Sequence, residues 1–273
     1  MNLRKFFKRL SHKHFPGLKG WFRYFGTRVY FPHNAWIFDL ACEQGIYESE
    51  LLRLICGLAR PQSWYFDIGA NIGLMSVPVL RQRTDLKVLS FEPSPNSSPH
   101  IERTLKESGL KERWQIRVKA VGKAKGQAEF SFGEARLAGY DGLKHTDRVA
   151  SVGTHKVEVT TLDDEWDELG RPDVSFLKLD IEGAELEALT GGTRLLYKCR
   201  PKILLEWYAE NLSPYGVKAS DILLWAEANK YEVVAVPTMT VVGSATMLDA
   251  LMLATSAFLL LPTDAPFEKA AQG

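Results

Sequence analysis

Apolar residues recur along this chain at two spacings, and the alternation between them predicts the fold. Largely apolar runs at 64–68, 87–91, 174–179 and 202–206 have the length of buried strands. Stretches with apolar residues three and four apart predict helices over 48–58, 72–83, 97–108, 183–196 and 219–229. Further strands are expected at 115–120, 157–161, 231–236 and 256–261. A turn at Gly122–Gly126 leads into an apparent hairpin whose return is Ala128–Phe132. Pro78 falls inside the predicted helix 72–83, so it must kink that helix or sit in an early turn. Strands alternating with helices argue for an α/β protein: a mostly parallel, doubly wound sheet with an antiparallel last strand. Ligands in such sheets sit outside the carboxyl ends of the strands. Glu92, Asp180 and Glu206 fall at such ends, and Asp67 lies one residue before one.

The densest local signal is Tyr65-Phe-Asp-Ile-Gly-Ala-Asn-Ile-Gly73. A buried strand carrying one acid, Asp67, breaks into a loop with Gly69, Asn71 and Gly73 on alternate positions. Glycines there permit tight turns and close backbone approach. A dinucleotide fingerprint would need glycines at 69, 71 and 74, but positions 71 and 74 hold Asn71 and Leu74. No Walker A sequence occurs. The loop therefore suits a ligand without phosphate, with an acid placed to meet a cationic amino group. S-adenosylmethionine is such a ligand. Glu92 lies 23 residues beyond Gly69, at the tip of the second strand, where an acid can bind both ribose hydroxyls.

A sulfonium methyl donor is already activated, so the protein must align an acceptor and remove its proton. Asp180 and Glu182 are the candidates for that task. If the strand continues through them, they share a face with Lys178. Asp180 would act as base or orient the acceptor; the other reading is that either acid merely caps the following helix. Adding Glu206 would make a carboxylate nest for Mg²⁺, a weaker reading, and no metal is assigned. His145 and His155 flank a poorly defined section and are further candidate bases.

Several segments together resemble the FkbM-type methyltransferases, a branch of the class I S-adenosylmethionine-dependent enzymes. They are Asp67–Gly73, Phe91-Glu-Pro-Ser-Pro95, Ala120-Val-Gly122 with Gly126, Thr161-Leu-Asp163, Leu177–Glu185 and Ile203–Glu206. The resemblance implies a Rossmann-like fold and methylation of a hydroxyl on a sugar, glycan or related small metabolite. It further implies that Asp67, Gly69, Asn71 and Gly73 cradle the methionine end of the cofactor and that Glu92 holds its ribose. Ala120 and Val121 would stack its adenine. Residues 133–156 match none of these motifs, and acceptor contacts are expected there.

Composition narrows the picture further. A chain of 273 residues, 45% hydrophobic, can bury one full core. The expected division is a basic helical cap over 1–60, the cofactor-binding domain over 61–262 and a tail over 263–273. Three widely spaced cysteines suggest a reducing, cytoplasmic setting and no disulfide framework. Residues 1–38 hold eight Lys or Arg and no acid. Residues 1–20 could therefore touch anionic lipid or attract a phosphorylated acceptor, or form a solvated helix packed on the domain. The acidic remainder argues against a nucleic-acid substrate. The rival readings are an NAD-dependent oxidoreductase and a non-catalytic cofactor-binding scaffold.

Overall fold

The computed structural model describes residues 20–144 and 152–264. It opens with a hairpin, β1 (Trp21–Tyr24) and β2 (Thr27–Tyr30), paired antiparallel. Its two turn residues, Phe25 and Gly26, both have positive φ, as a two-residue turn matching strand twist requires. Two helices follow, Trp36–Gln44 and Ser49–Leu58. The strands after them are β3 (Trp64–Ile68), β4 (Lys87–Phe91), β5 (Trp114–Arg117), β6 (Ala120–Val121), β7 (Gly126–Phe132) and β8 (Gly153–Thr160). The chain continues through β9 (Val174–Leu179), β10 (Lys202–Glu206), β11 (Tyr231–Ala235), β12 (Thr240–Val241) and β13 (Ala257–Pro262).

Eight of these strands form one sheet in the order β12-β11-β13-β10-β9-β3-β4-β5. β3, β4, β5, β9 and β10 run parallel, whereas β13 inserts antiparallel between β10 and β11. The expected sheet and its antiparallel last strand are thus both present. The chain order reverses between β3 and β9, so the crevice for a ligand opens at their carboxyl ends.

Strand alternation divides the core. Phe66, Leu89, Leu177 and Leu205 face one side, and Tyr65, Val88, Phe176 and Leu204 face the other. Val29 and Phe31 from the hairpin, and Phe38, Leu52 and Ile55 from the two early helices, pack on the second side. Asp67, Ser90, Lys178 and Glu206 share the parity of that side. The residues preceding β3 therefore cover the same face that carries the acids.

Several expectations are corrected. The helix predicted over 72–83 begins only at Ser76, and Pro78 sits in its first turn, where its missing N–H costs nothing. The strand predicted over 115–120 is two, because β6 leaves the main sheet to pair with β8. The apparent hairpin dissolves likewise: β7 pairs antiparallel with β8, which lies between β6 and β7 in a three-stranded sheet. The helix predicted over 183–196 is broken into Glu185–Thr190 and Thr193–Cys199. Gly191 packs so tightly that a Cβ there would lie 2.2 Å from the carbonyl oxygen of Gly122. Asp163 accepts the backbone N–H groups of Arg194 and Leu195, starting the second helix. The Thr161-Leu-Asp163 segment is thus a packing device: Thr161 caps its own helix, Leu162–Glu168, through the N–H of Asp164. No described helix is long and apolar enough to cross a membrane.

Candidate functional site

The crevice between β3 and β9 is walled on one side by the glycine loop. Gly69, Asn71 and Gly73 all take positive φ, at 84°, 50° and 87°. A Cβ on Gly69 would stand 1.9 Å from the carbonyl oxygen of Asp180, so this glycine is required by the neighbouring loop as much as by any ligand. The N–H groups of Gly69 and Ala70 both donate to the Phe91 carbonyl, binding the loop to the end of β4. Glu92 follows directly. Its Oε2 accepts the Asn71 N–H at 2.7 Å and its Oε1 the Ser94 N–H at 2.8 Å. Burial pushes Glu92 up to about 8, against the pull of those two N–H groups, with Asp141 and Asp180 adding to the rise. Asp67 is fully buried. Its Oδ2 accepts the Ser76 hydroxyl at 2.5 Å, and a chain of contacts runs on through Ser90 to the indole N–H of Trp114. Its Oδ1 has no hydrogen-bond partner. Burial raises the Asp67 carboxyl, and Lys178 opposes that rise.

The opposite wall is built around Lys178, which stands across from Asp67 in the pairing of β3 with β9. Lys178 is buried, and its Nζ lies 2.6 Å from Asp180 Oδ2. Burial alone would lower the lysine, but Asp180, Glu48 and Asp67 together hold it above its ordinary value. β9 ends at Leu179, and Glu182 and Gly183 have φ of 56° and 101°. The strand therefore does not continue through Asp180 and Glu182, which a tight turn brings together. That turn is fixed by buried Glu185, whose Oε1 accepts the N–H groups of Ile181 and Gly183. From β10, Glu206 completes a group of three: Asp180, Glu182 and Glu206 can each offer an oxygen within 4.8 Å of the others. That spacing lets the trio hold a hard divalent cation. Asp180, burial and Glu182 push Glu206 up to about 10.

The remaining candidates divide. Ala120 and Val121 are buried and line the cleft. His155 is exposed on β8 and does not line it, while His145 lies outside the described residues. Two groups that the sequence marked only as regions, the unmatched stretch 133–156 and the cap over 1–60, supply individual residues to the cleft. The segment Ala135–Leu143 enters the cleft wall, anchored by Asp141, which accepts from Ser94, Asn96 and Gly133. Trp36, Tyr47 and Glu48 reach the cleft from before β3, with the Trp36 ring stacked on Tyr140 at 5.9 Å. The signal available for Glu48 was an acid at the start of a predicted helix, which reads as capping.

Residues 67–233 match the family described as Methyltransferase FkbM domain, a span of more than half the chain. The 2-O-methyltransferase NoeI of Sinorhizobium fredii is 26% identical over 160 residues, covering 54% of this chain and 65% of that protein. The hexuronic acid methyltransferase AglP of Haloferax volcanii is 27% identical over 151 residues, covering 55% of this chain and 58% of that protein. The chain thus spans less than two thirds of the length of either curated relative. The crystal structure of methyltransferase FkbM from Methylobacillus flagellatus KT aligns at 16% identity with a TM-score of 0.45, over 82% of this chain and 52% of that one. The family match runs from Asp67 through the glycine loop and the Lys178 turn into β11, and this chain belongs to the FkbM methyltransferase family.

Proposed function

We propose that this chain transfers a methyl group from S-adenosylmethionine to a hydroxyl of a sugar, glycan or related small metabolite. The observation that carries the reading is the excess of acidic over basic side chains in the cleft. Glu48, Asp67, Glu92, Asp141, Asp180, Glu182 and Glu206 line it, against Lys119, Arg136 and Lys178. Such a surplus of carboxylates suits a cationic ligand and opposes the pyrophosphate of a dinucleotide. The Oδ1 of Asp67, with the Tyr65 hydroxyl nearby, keeps acceptor capacity for a donor such as an ammonium group.

In this reading Asp67, Gly69, Asn71 and Gly73 enclose the methionine end, and Glu92 takes the ribose hydroxyls. Both Glu92 oxygens already hold one backbone N–H, yet a carboxylate accepts about four hydrogen bonds, so two sites remain. Ala120 and Val121 give the adenine an apolar wall. When bound, S-adenosylmethionine supplies an electrophilic methyl carbon on a sulfonium. Asp180, oriented by Lys178, and Glu182 receive the hydroxyls of the acceptor. The names of the two curated relatives, a 2-O-methyltransferase and a hexuronic acid methyltransferase, favour a sugar acceptor.

The test is tritiated methyl transfer to free sugars, nucleotide sugars, glycolipids and polyketides, with calorimetry of S-adenosylmethionine and NAD beside it. Product on a sugar hydroxyl, lost in Asp180→Asn, is expected. Binding of NAD but not S-adenosylmethionine would sink the reading. Cofactor binding without turnover of any acceptor would leave a scaffold.

A further inference from the structure

Glu48 lies before residue 67, outside the span matched to the family. It lines the cleft, and its Oε2 is buried without a hydrogen-bond partner. Its backbone takes the left-handed conformation, φ 44°, which is costly for a residue with a Cβ and persists only when its surroundings impose it. Those surroundings are visible. The Glu48 N–H donates to Gln44 Oε1 at 2.8 Å, and the adjacent Tyr47 N–H donates to the Tyr24 hydroxyl at 3.1 Å. The hairpin and the first helix thus aim this side chain into the crevice.

The other carboxylates there have places in the two walls, and Glu48 itself has the Tyr47 hydroxyl as a side-chain donor. Asp180 Oδ2 is held by Lys178, both Glu92 oxygens hold backbone N–H groups, and Asp67 is fully buried under Ser76. Glu182 and Glu206 lie against Asp180. We propose that Glu48 is the carboxylate that receives the proton of the acceptor hydroxyl, an assignment that rests on the methyl-transfer reading above. The acceptor oxygen bonds the methyl carbon, the S–C bond breaks with its electron pair left on sulfur, and the hydroxyl proton passes to the Glu48 carboxylate. Burial raises the Glu48 carboxyl, and Lys178 opposes that rise. The same residues that cover one face of the sheet would then complete the reaction centre.

The alternative is that Glu48 serves only as a counter-ion to Lys178. The full chain, Glu48→Gln and Glu48→Asp are compared, with tritiated S-adenosylmethionine as donor and a panel of methyl hexopyranosides and methyl hexuronosides as acceptors. For each protein kcat, KM, the Kd of S-adenosylhomocysteine and Tm are measured. Glu48→Gln is expected to lower kcat by about 100- to 1,000-fold, the range of a lost general base, with KM and Kd within about threefold of the starting chain. Glu48→Asp should recover at least about tenfold of that loss, because it restores the carboxylate. The proposal is overturned if Glu48→Gln keeps kcat within about threefold. It is equally overturned if kcat, Kd and Tm fall together and Glu48→Asp behaves like Glu48→Gln, the pattern of a counter-ion. A starting chain that methylates none of these glycosides overturns both the sugar reading and this one.

Discussion

The two walls of the cleft solve the problem of buried charge in opposite ways. On the glycine-loop side, each acid meets neutral donors: Asp67 has the Ser76 hydroxyl, and Glu92 has the N–H groups of Asn71 and Ser94. On the Lys178 side, Glu48, Asp67 and Asp180 crowd one ammonium, and Glu206 and Glu182 press on Asp180. The first arrangement is a preformed cradle whose members are held one by one by neutral donors, with Asp67 Oδ1 left open. The second is held together by a single cation and stays short of positive charge. A site that must bind a positively charged donor and then accept a proton gains from that division, because the cradle fixes position while the crowded side retains unmet electrostatic demand.

Removing the cation should have the largest effect. Lys178→Met leaves Asp67, Asp180 and Glu48 facing one another in a buried setting, and should cost about 3–5 kcal/mol of stability in urea unfolding at neutral pH. Part of the loss should return at pH 5 as these acids take up protons. A loss below about 1 kcal/mol would mean that the Lys178 side is no less self-sufficient than the cradle. Next comes Gly69→Ala. Positive φ and a contact of 1.9 Å with the Asp180 carbonyl predict a loss of about 3 kcal/mol, because this residue is where the two walls touch. Wild-type stability would show that the two loops move apart freely.

Glu92→Gln should act on binding. It replaces an acceptor of two N–H groups with an amide that repels one of them, and should weaken S-adenosylmethionine by about 1.5–3 kcal/mol in calorimetry. An unchanged dissociation constant removes Glu92 from the donor site. The contrast with Asp180→Asn is diagnostic, since that variant should lower turnover while leaving donor affinity close to that of the starting chain.

The smallest effect is a gain. Glu206 is raised from 4.5 to about 10 in the folded chain. Between those values the folded state holds a proton that the unfolded state has released, so stability falls as pH rises through that window. Glu92, raised to about 8, adds the same slope over the lower part of the range. Glu206→Gln should therefore flatten the dependence of Tm on pH and stabilise the free protein at pH 9 by about 1 kcal/mol. A steeper slope, or a loss of stability at pH 9, would show that Glu206 is better satisfied than its neighbours suggest.

The glycine-loop wall was far more legible in the sequence than the Lys178 wall. Strands 64–68, 87–91, 174–179 and 202–206 have the bounds that their apolar runs predict, because each run ends at or just before an acid or a turn residue. Asp67, Asn71, Gly73 and Glu92 meet through adjacent strands and a short loop, so spacing alone brought them together. The acids of the Lys178 side were visible as residues, but the tight turn at Glu182-Gly183 replaced the extended strand that their spacing suggested.

The sequence by itself determined the sheet, its antiparallel closing strand and the acids at its carboxyl ends, since those follow from period-two burial and local turn chemistry. The tertiary structure decided which distant segments complete the site. β8 claimed both β6 and β7, Gly191 ended a helix against Gly122, and the hairpin and early helices brought Glu48 into the cleft wall. None of these has a local signature, because each depends on contact between segments whose separation along the chain leaves no periodicity to read.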